Sequence, residues 1–165
     1  MNAIAKLRAR RDGSDEGGFT LIELMVVVLI IAILIAIAIP TFLGARQRAQ
    51  DKAAQSSLRN GLTAAKTIYT DSEDYGTASN TALQGVEPSL TFVTPSTGPK
   101  EVAVSSTANN LIVMAAMSKS GKCFYIRDNT QGPGTEFASS PGGQTNCSAS
   151  APVTTGGTAW NGNSF

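Results

Sequence analysis

The sequence predicts an α+β fold in which one long N-terminal helix, hydrophobic and then amphipathic, packs on a small antiparallel β-sheet. The first observation is a long apolar run that continues into apolar residues at helical spacing. The second is a set of short apolar runs in the later half, separated by turn residues, as is typical of strands. A chain of 165 residues suffices for one head domain and an appended helix, so we expect a single core.

The hydrophobic part of the predicted helix covers residues 19–39. Of these 21 residues, Thr20 is the only neutral polar one and Glu23 the only charged one. About 20 apolar residues cross the hydrocarbon of a bilayer, so this run is long enough to span a membrane. Basic residues flank it on both sides, at positions 6–11 and 46–52, and the positive-inside rule therefore leaves its orientation open.

The amphipathic part of the helix follows Pro40. A proline inside a helix removes one backbone hydrogen bond and clashes with the preceding turn, so Pro40 predicts a helix kink and not a second, separate helix. We expect the helix to cover residues 19–71 and to be ended by the acidic residues at 71–74 and by Gly76. The stripe that would face the sheet comprises Ala54, Leu58, Leu62, Ala65 and Tyr69.

The predicted head domain covers residues 72–165. Residues 75–100 contain three prolines and are expected to form a long loop, and residues 131–165 are expected to be irregular except where Cys147 ties them back. A turn at Lys119-Ser120-Gly121 predicts a hairpin between the last two strands. The strand candidates are Leu90 to Thr94, Glu101 to Ser105, Leu111 to Ser118 and Lys122 to Arg127.

The charge and composition of the chain disfavour several functions. The 13 basic and 12 acidic residues nearly cancel, and the chain without residues 1–18 would carry nine of each. Phosphate binding needs a concentrated basic surface, so we expect no obligatory nucleic acid partner. The absence of histidine removes the commonest general base and the commonest metal ligand, so we expect no enzyme, no catalytic residues, no metal and no cofactor.

The cysteines, Cys123 and Cys147, both lie in the predicted head. An even count in a non-cytoplasmic domain favours a disulfide over a metal site, and two free thiols are the alternative. Because a disulfide persists only in an oxidising space, this pair places the head outside the cytoplasm and the polar segment 1–18 inside.

The string Gly18-Phe19-Thr20-Leu21-Ile22-Glu23-Leu24-Met25 resembles the prepilin signature of type IV pilins. The likeness extends to about Leu43 and includes Pro40, whereas Ala32 stands where many pilins have a glycine that eases unwinding. It implies that residues 1–18 are a leader, that prepilin peptidase cuts after Gly18 on the cytoplasmic side, and that N-methylation falls on Phe19. The head is similar in layout to the small heads of pilins from Gram-positive bacteria, with a C-terminal loop held by the cysteine pair.

Glu23 is the residue that a simple membrane anchor would not need. A carboxylate inside an apolar helix costs about 2 to 3 kcal/mol at mid-bilayer, which implies a functional partner. Cleavage after Gly18 would convert the Phe19 amide nitrogen into an ammonium. In the family this amine is thought to pair with the glutamate of a neighbouring subunit, but within one helix the two groups could also meet, so both pairings remain open.

The resemblance implies a structural function: polymerisation into a type IV pilus, with residues 19–39 in the filament core. The expected partners are further copies of the chain, prepilin peptidase, the pilus assembly machinery and, before assembly, the cytoplasmic membrane. Adhesion, twitching motility and DNA uptake are all compatible uses. The alternatives are the major pseudopilin of a type II secretion system, a membrane-anchored monomeric binding domain, and an ordinary signal peptide, for which an apolar run of 21 residues is too long.

Overall fold

The computed structural model describes residues 18–150, 160–162 and 165, so the predicted leader lies outside the described residues except for Gly18. The chain divides into two units, Met1–Phe42 and Leu43–Phe165, which are described separately below. Helix α1, Leu21–Ser72, contributes residues to both.

In the first unit, the described residues form the start of α1, and their apolar side chains are exposed in the isolated chain. The helix is continuous through Pro40. The hydroxyl of Thr41 donates to the carbonyl oxygen of Ile37 at 3.1 Å, which provides a further bond in the turn where proline has no N–H to donate. Continuity agrees with the expectation of one helix, and the kink at Pro40 stays a prediction.

Helix α1 ends at Ser72, and Gly76 is not the residue that ends it. Glu73 adopts the left-handed conformation, with φ 53°, and its N–H donates to the Tyr69 carbonyl at 2.7 Å. Gly76 instead lies in a short 3-10 helix, Tyr75–Thr77, where its N–H donates to Oδ1 of Asp74 at 2.6 Å. The carboxylate of Asp74 therefore caps the 3-10 helix. The sequence pattern had instead predicted that Asp74 and Gly76 end the long helix.

The head contains a five-stranded sheet in the order β1-β2-β3-β4-β5. Strands β2 to β5 are paired antiparallel, whereas β1 is parallel to β2. The β3–β4 hairpin turns at Gly121, whose φ of 80° favours glycine. The strands are β1 Thr91–Phe92, β2 Glu101–Ala108, β3 Leu111–Met117, β4 Cys123–Asn129 and β5 Gly134–Ser139.

Two elements differ from the sequence prediction. The segment predicted as a long loop contains helix α2, Asn80–Val86, which begins where the Ser79 hydroxyl accepts from the Ala82 N–H and which buries Leu83. The segment predicted as an irregular tail contains β5, which adds a fifth strand. Both were missed because they are short and contain few apolar residues, so neither has a clear period in sequence.

The sheet carries an apolar cluster on each face. On one face, Leu58, Leu62 and Ala65 of α1 pack against alternate sheet residues such as Met114 and Ile126. The predicted helix stripe is therefore the buried one, with Tyr69 partly buried beside it. The second face buries Ala103, Ala115, Cys123, Tyr125, Ala138, Cys147 and Ala149. The molecule thus has an α+β fold with a long N-terminal helix packed on a mostly antiparallel sheet, as predicted.

Gly61 lies where α1 packs against the sheet. A Cβ placed there would lie 3.4 Å from the Met114 sulfur, 3.5 Å from Phe92 Cε1 and 3.6 Å from Val102 Cγ1, which is ordinary contact distance. We expect Gly61→Ala to stabilise the head by about 0.5 to 1 kcal/mol, because alanine is the better helix former and its methyl group fits. Gly61→Leu, the matched variant, should destabilise it by about 1 to 3 kcal/mol through overpacking. Urea unfolding of the full chain in detergent micelles measures both, and a destabilising alanine would contradict this geometry.

Candidate functional site

The start of α1 brings together the residues that the prepilin signature singles out. Gly18, Phe19 and Thr20 precede the helix and are exposed. The Thr20 N–H and hydroxyl both donate to Oε2 of Glu23, at 2.9 and 2.7 Å. In return, the Glu23 N–H donates to the Thr20 hydroxyl at 3.2 Å. This reciprocal capping box fixes the helix start and holds the Glu23 carboxylate one turn from the Gly18–Phe19 bond.

The first turns of α1 present an apolar surface in which Glu23 is the only charged side chain among residues 19–39. Among residues 19–39, the exposed fraction of the large apolar side chains ranges from 48% at Val26 to 91% at Phe19. Such a surface is unstable in water and needs lipid or protein around it. By length and composition α1 is able to cross a membrane, although a signal sequence would meet the same test. Glu23 is the carboxylate within this surface.

The cysteine pair lies in the head, within the second apolar cluster. Cys123 of β4 and Cys147 are joined by a disulfide with a Cα–Cα distance of 5.7 Å. Cys147 also exchanges two backbone hydrogen bonds with Ser96, at 2.9 and 2.8 Å. The segment around Cys147 is therefore held to β4 by a covalent bond and to the segment before β2 by a backbone bridge.

Asp128 is the centre of a buried polar network that the sequence did not indicate. Oδ1 of Asp128 lies 2.9 Å from the Lys66 ammonium and accepts from the Thr135 hydroxyl, while Oδ2 accepts from the Tyr75 hydroxyl at 2.7 Å. Burial raises the pKa of Asp128, but these hydrogen bonds and the Lys66 charge outweigh it, so the pKa is lowered. Burial and the Asp128 carboxylate raise the pKa of Tyr75. The network connects α1, the 3-10 helix, β4 and β5.

A second carboxylate connects α1 to the β3–β4 turn. Asp51 accepts from the hydroxyls of Ser118 and Ser120, at 2.7 and 2.5 Å, and lies 3.5 Å from the Lys122 ammonium. Partial burial raises its pKa, and these hydrogen bonds together with Lys122 lower it by more, so the pKa of Asp51 is also lowered. Both networks fix the helix on the sheet, which is a structural role.

The described part of the chain offers no catalytic constellation. Among residues 18–150, 160–162 and 165, no group of three or more Asp, Glu or Cys side chains is arranged to hold a metal ion. The carboxylates of Asp51 and Asp128 each bind two hydroxyl groups and one lysine of the same chain. The features left for function are the apolar surface of α1 and the Thr20–Glu23 box at its start.

Residues 13–39, which include the start of α1, match the family described as "Prokaryotic N-terminal methylation motif". The chain is also 40% identical over 74 residues to the type IV major pilin protein PilA of Myxococcus xanthus (strain DK1622). The matched motif and this identity support a type IV pilin. The more particular likeness to pilins of Gram-positive bacteria stays a prediction.

The similarity to the relative covers 45% of this chain and 34% of the relative, so the chain spans about a third of the length of the curated protein that it matches. No solved structure gives a significant match. The family match itself is confined to the N-terminal part of the chain. The apolar helix fits a form of the protein that is anchored in a membrane.

Proposed function

We propose that this chain is the structural subunit of a type IV pilus, which polymerises through α1 after its leader has been removed. The observation that carries the proposal is the exposed apolar surface at the start of α1. This surface contains a single carboxylate, that of Glu23, and it directly follows the cleavage position that the signature predicts. A bundle of such helices would bury this surface away from water without any change of fold.

The first step of the proposed pathway is processing at Gly18. Prepilin peptidase would hydrolyse the Gly18–Phe19 bond on the cytoplasmic side, releasing residues 1–18 and giving Phe19 a free amine that is then methylated. The leader carries four basic and three acidic residues, which an apolar filament core could not accommodate. Cleavage thus removes the charges that would oppose packing and creates one positive charge near Glu23.

The second step is assembly, in which the Phe19 ammonium and Glu23 neutralise each other. The Thr20 hydrogen bonds hold the carboxylate at the helix start, about one turn from the new amine. The carboxylate is able to form an ion pair with the amine of its own chain or with that of a neighbouring subunit. Either pairing would let the helix ends enter an apolar core without a net charge.

The head forms the outer wall of the proposed fibre, and the disulfide keeps its later part folded outside the cell. Before assembly the chain is a single-pass protein of the cytoplasmic membrane with the head outside, a location where the Cys123–Cys147 bond persists. Its partners are other copies of itself, prepilin peptidase and the pilus assembly machinery. Adhesion, twitching motility and DNA uptake remain compatible uses of the fibre.

Replacing Gly18 tests this function. We expect Gly18→Leu to leave the full-length precursor in the membrane and to yield no surface fibres, because the peptidase site accepts only a small residue there. The matched control is Gly17→Leu, which alters the other glycine of the pair and should be processed like the wild type. Immunoblots of membrane and sheared surface fractions give the measurement. Fibres built from uncleaved Gly18→Leu protein would contradict the proposal.

A further inference from the structure

Strand β5 occupies one end of the strand order, so one of its two edges faces away from the sheet. An unpaired edge offers backbone N–H and C=O groups to any extended segment of another chain, and proteins usually protect such edges. The inner edge of β5 is paired with β4 in a continuous antiparallel register from Phe124↔Ser139 to Asn129↔Gly134. The outer edge therefore needs protection from elsewhere.

That protection comes from a residue distant in sequence. Asn161 forms an antiparallel bridge with Phe137, in the middle of β5. The Phe137 N–H donates to the Asn161 carbonyl at 2.8 Å, and the Asn161 N–H donates to the Phe137 carbonyl at 3.0 Å. Both backbone groups that Phe137 directs away from β4 are thus satisfied by Asn161.

Aromatic side chains anchor this bridge on both faces of the sheet. Phe165 lies on the α1 face, where its ring packs edge-on against Phe137 and Phe124 at centroid distances of 4.9 and 5.4 Å. Trp160 belongs to the apolar cluster of the opposite face. Its ring stacks with the Arg127 guanidinium at 4.5 Å, and that guanidinium is bound to Glu136 of β5 at 2.7 Å.

We propose that Trp160, Asn161 and Phe165 form an edge clamp that prevents strand addition to β5 by a second copy of this chain. Asn161 occupies the hydrogen-bonding positions at Phe137, and the two aromatic rings hold it there from opposite faces. The clamp is independent of pilus assembly, since it would act on any high local concentration of heads. In a polymer, the clamp would restrict self-association to contacts in which the outer edge of β5 does not pair with a strand of another copy.

Two variants at position 161 separate backbone from side-chain effects. Asn161→Pro removes the N–H that donates to Phe137 and places a ring against the strand, whereas Asn161→Ala removes the side chain and keeps the backbone bridge. We expect the Phe137 amide hydrogen to exchange about tenfold faster in Asn161→Pro than in Asn161→Ala, because the proline ring displaces position 161 and with it the carbonyl oxygen that accepts from the Phe137 N–H. The double variant Trp160→Ala/Phe165→Ala should exchange like the proline variant. Exchange is measured by NMR on the full chain in detergent micelles.

Sedimentation of the same samples tests for strand addition. Asn161→Pro and the double variant should form concentration-dependent oligomers, in which the Phe137 amide regains protection, while Asn161→Ala should sediment like the wild type. Leu90→Ala, a cavity variant in the core, controls for general destabilisation and should not oligomerise. Equal exchange rates of the Phe137 amide in Asn161→Pro and Asn161→Ala would overturn the proposal. It would also be overturned if Leu90→Ala formed oligomers, or if Asn161→Pro sedimented like the wild type.

Discussion

Glu23→Ala is expected to abolish surface fibres while the precursor is still inserted into the membrane and cleaved. Alanine makes the helix more apolar, so a protein that served only as a membrane anchor would be unharmed or better inserted. In the proposed fibre core, however, the Phe19 ammonium would lose its counter-charge, and removing one partner of a buried ion pair costs about 3 to 5 kcal/mol. Because the loss recurs at every added subunit, growth should stop.

The matched variants for this experiment lie at the same helix start. Glu23→Gln keeps the size of the side chain and an oxygen that can accept from Thr20, but it removes the charge, so it should fail to form fibres like Glu23→Ala. Ile22→Val removes a single methylene from the apolar surface without altering charge and should form fibres. The measurement compares membrane and sheared fractions from cells that make only the variant. Wild-type amounts of fibre from Glu23→Ala would refute the ion pair and favour a monomeric membrane-anchored domain.

Asp128→Ala is expected to destabilise the head by about 2 to 3 kcal/mol. The Tyr75 side chain is fully buried and its hydroxyl would lose its acceptor, whereas the half-exposed Lys66 ammonium can turn to water at little cost. Asp71→Asn, which alters an exposed carboxylate of α1, should change the free energy of unfolding by less than about 0.5 kcal/mol. Urea unfolding of the full chain in detergent micelles at pH 7 gives both values, and equal effects would show that the network adds no stability.

The same carboxylate predicts how the stability of the head depends on pH. The pKa of Asp128 is lower in the folded than in the unfolded protein, so its contribution is complete above the unfolded value of about 3.9. It is lost as the pH falls through the folded pKa, because the unfolded state then binds the proton first. Wild-type stability should thus decline below about pH 4, and Asp128→Asn should decline less steeply. Parallel declines in the two proteins would contradict this assignment.

The sequence predicted the elements whose physical signal is local. The apolar stripe of Leu58, Leu62 and Ala65 has helical spacing, and the same residues are buried against the sheet. Strands β2, β3 and β4 lie where their apolar runs predicted them. Glu23 was singled out for a similar reason, since one carboxylate in an apolar run has an immediate energetic cost, and its role in assembly stays a prediction.

The features that the sequence did not reveal depend on contacts between distant residues. Strand β5 contains Glu136, a buried carboxylate that pairs with Arg127 of β4, so its sequence lacks the alternation of a half-buried strand. The partners of Asp128 come from positions 66, 75 and 135, and no spacing rule connects them. Likewise, Asn161 gives no sign in sequence that its backbone would pair with Phe137.

A helical reconstruction of the native surface fibre by electron cryo-microscopy tests the central claim most directly. The proposal predicts a central bundle of α1 helices that begin at Phe19, with a positive amine beside each Glu23 carboxylate and the heads forming the outer wall. It also predicts no density for residues 1–18. A fibre in which the heads make the contacts between subunits while residues 19–39 remain outside the core would contradict it.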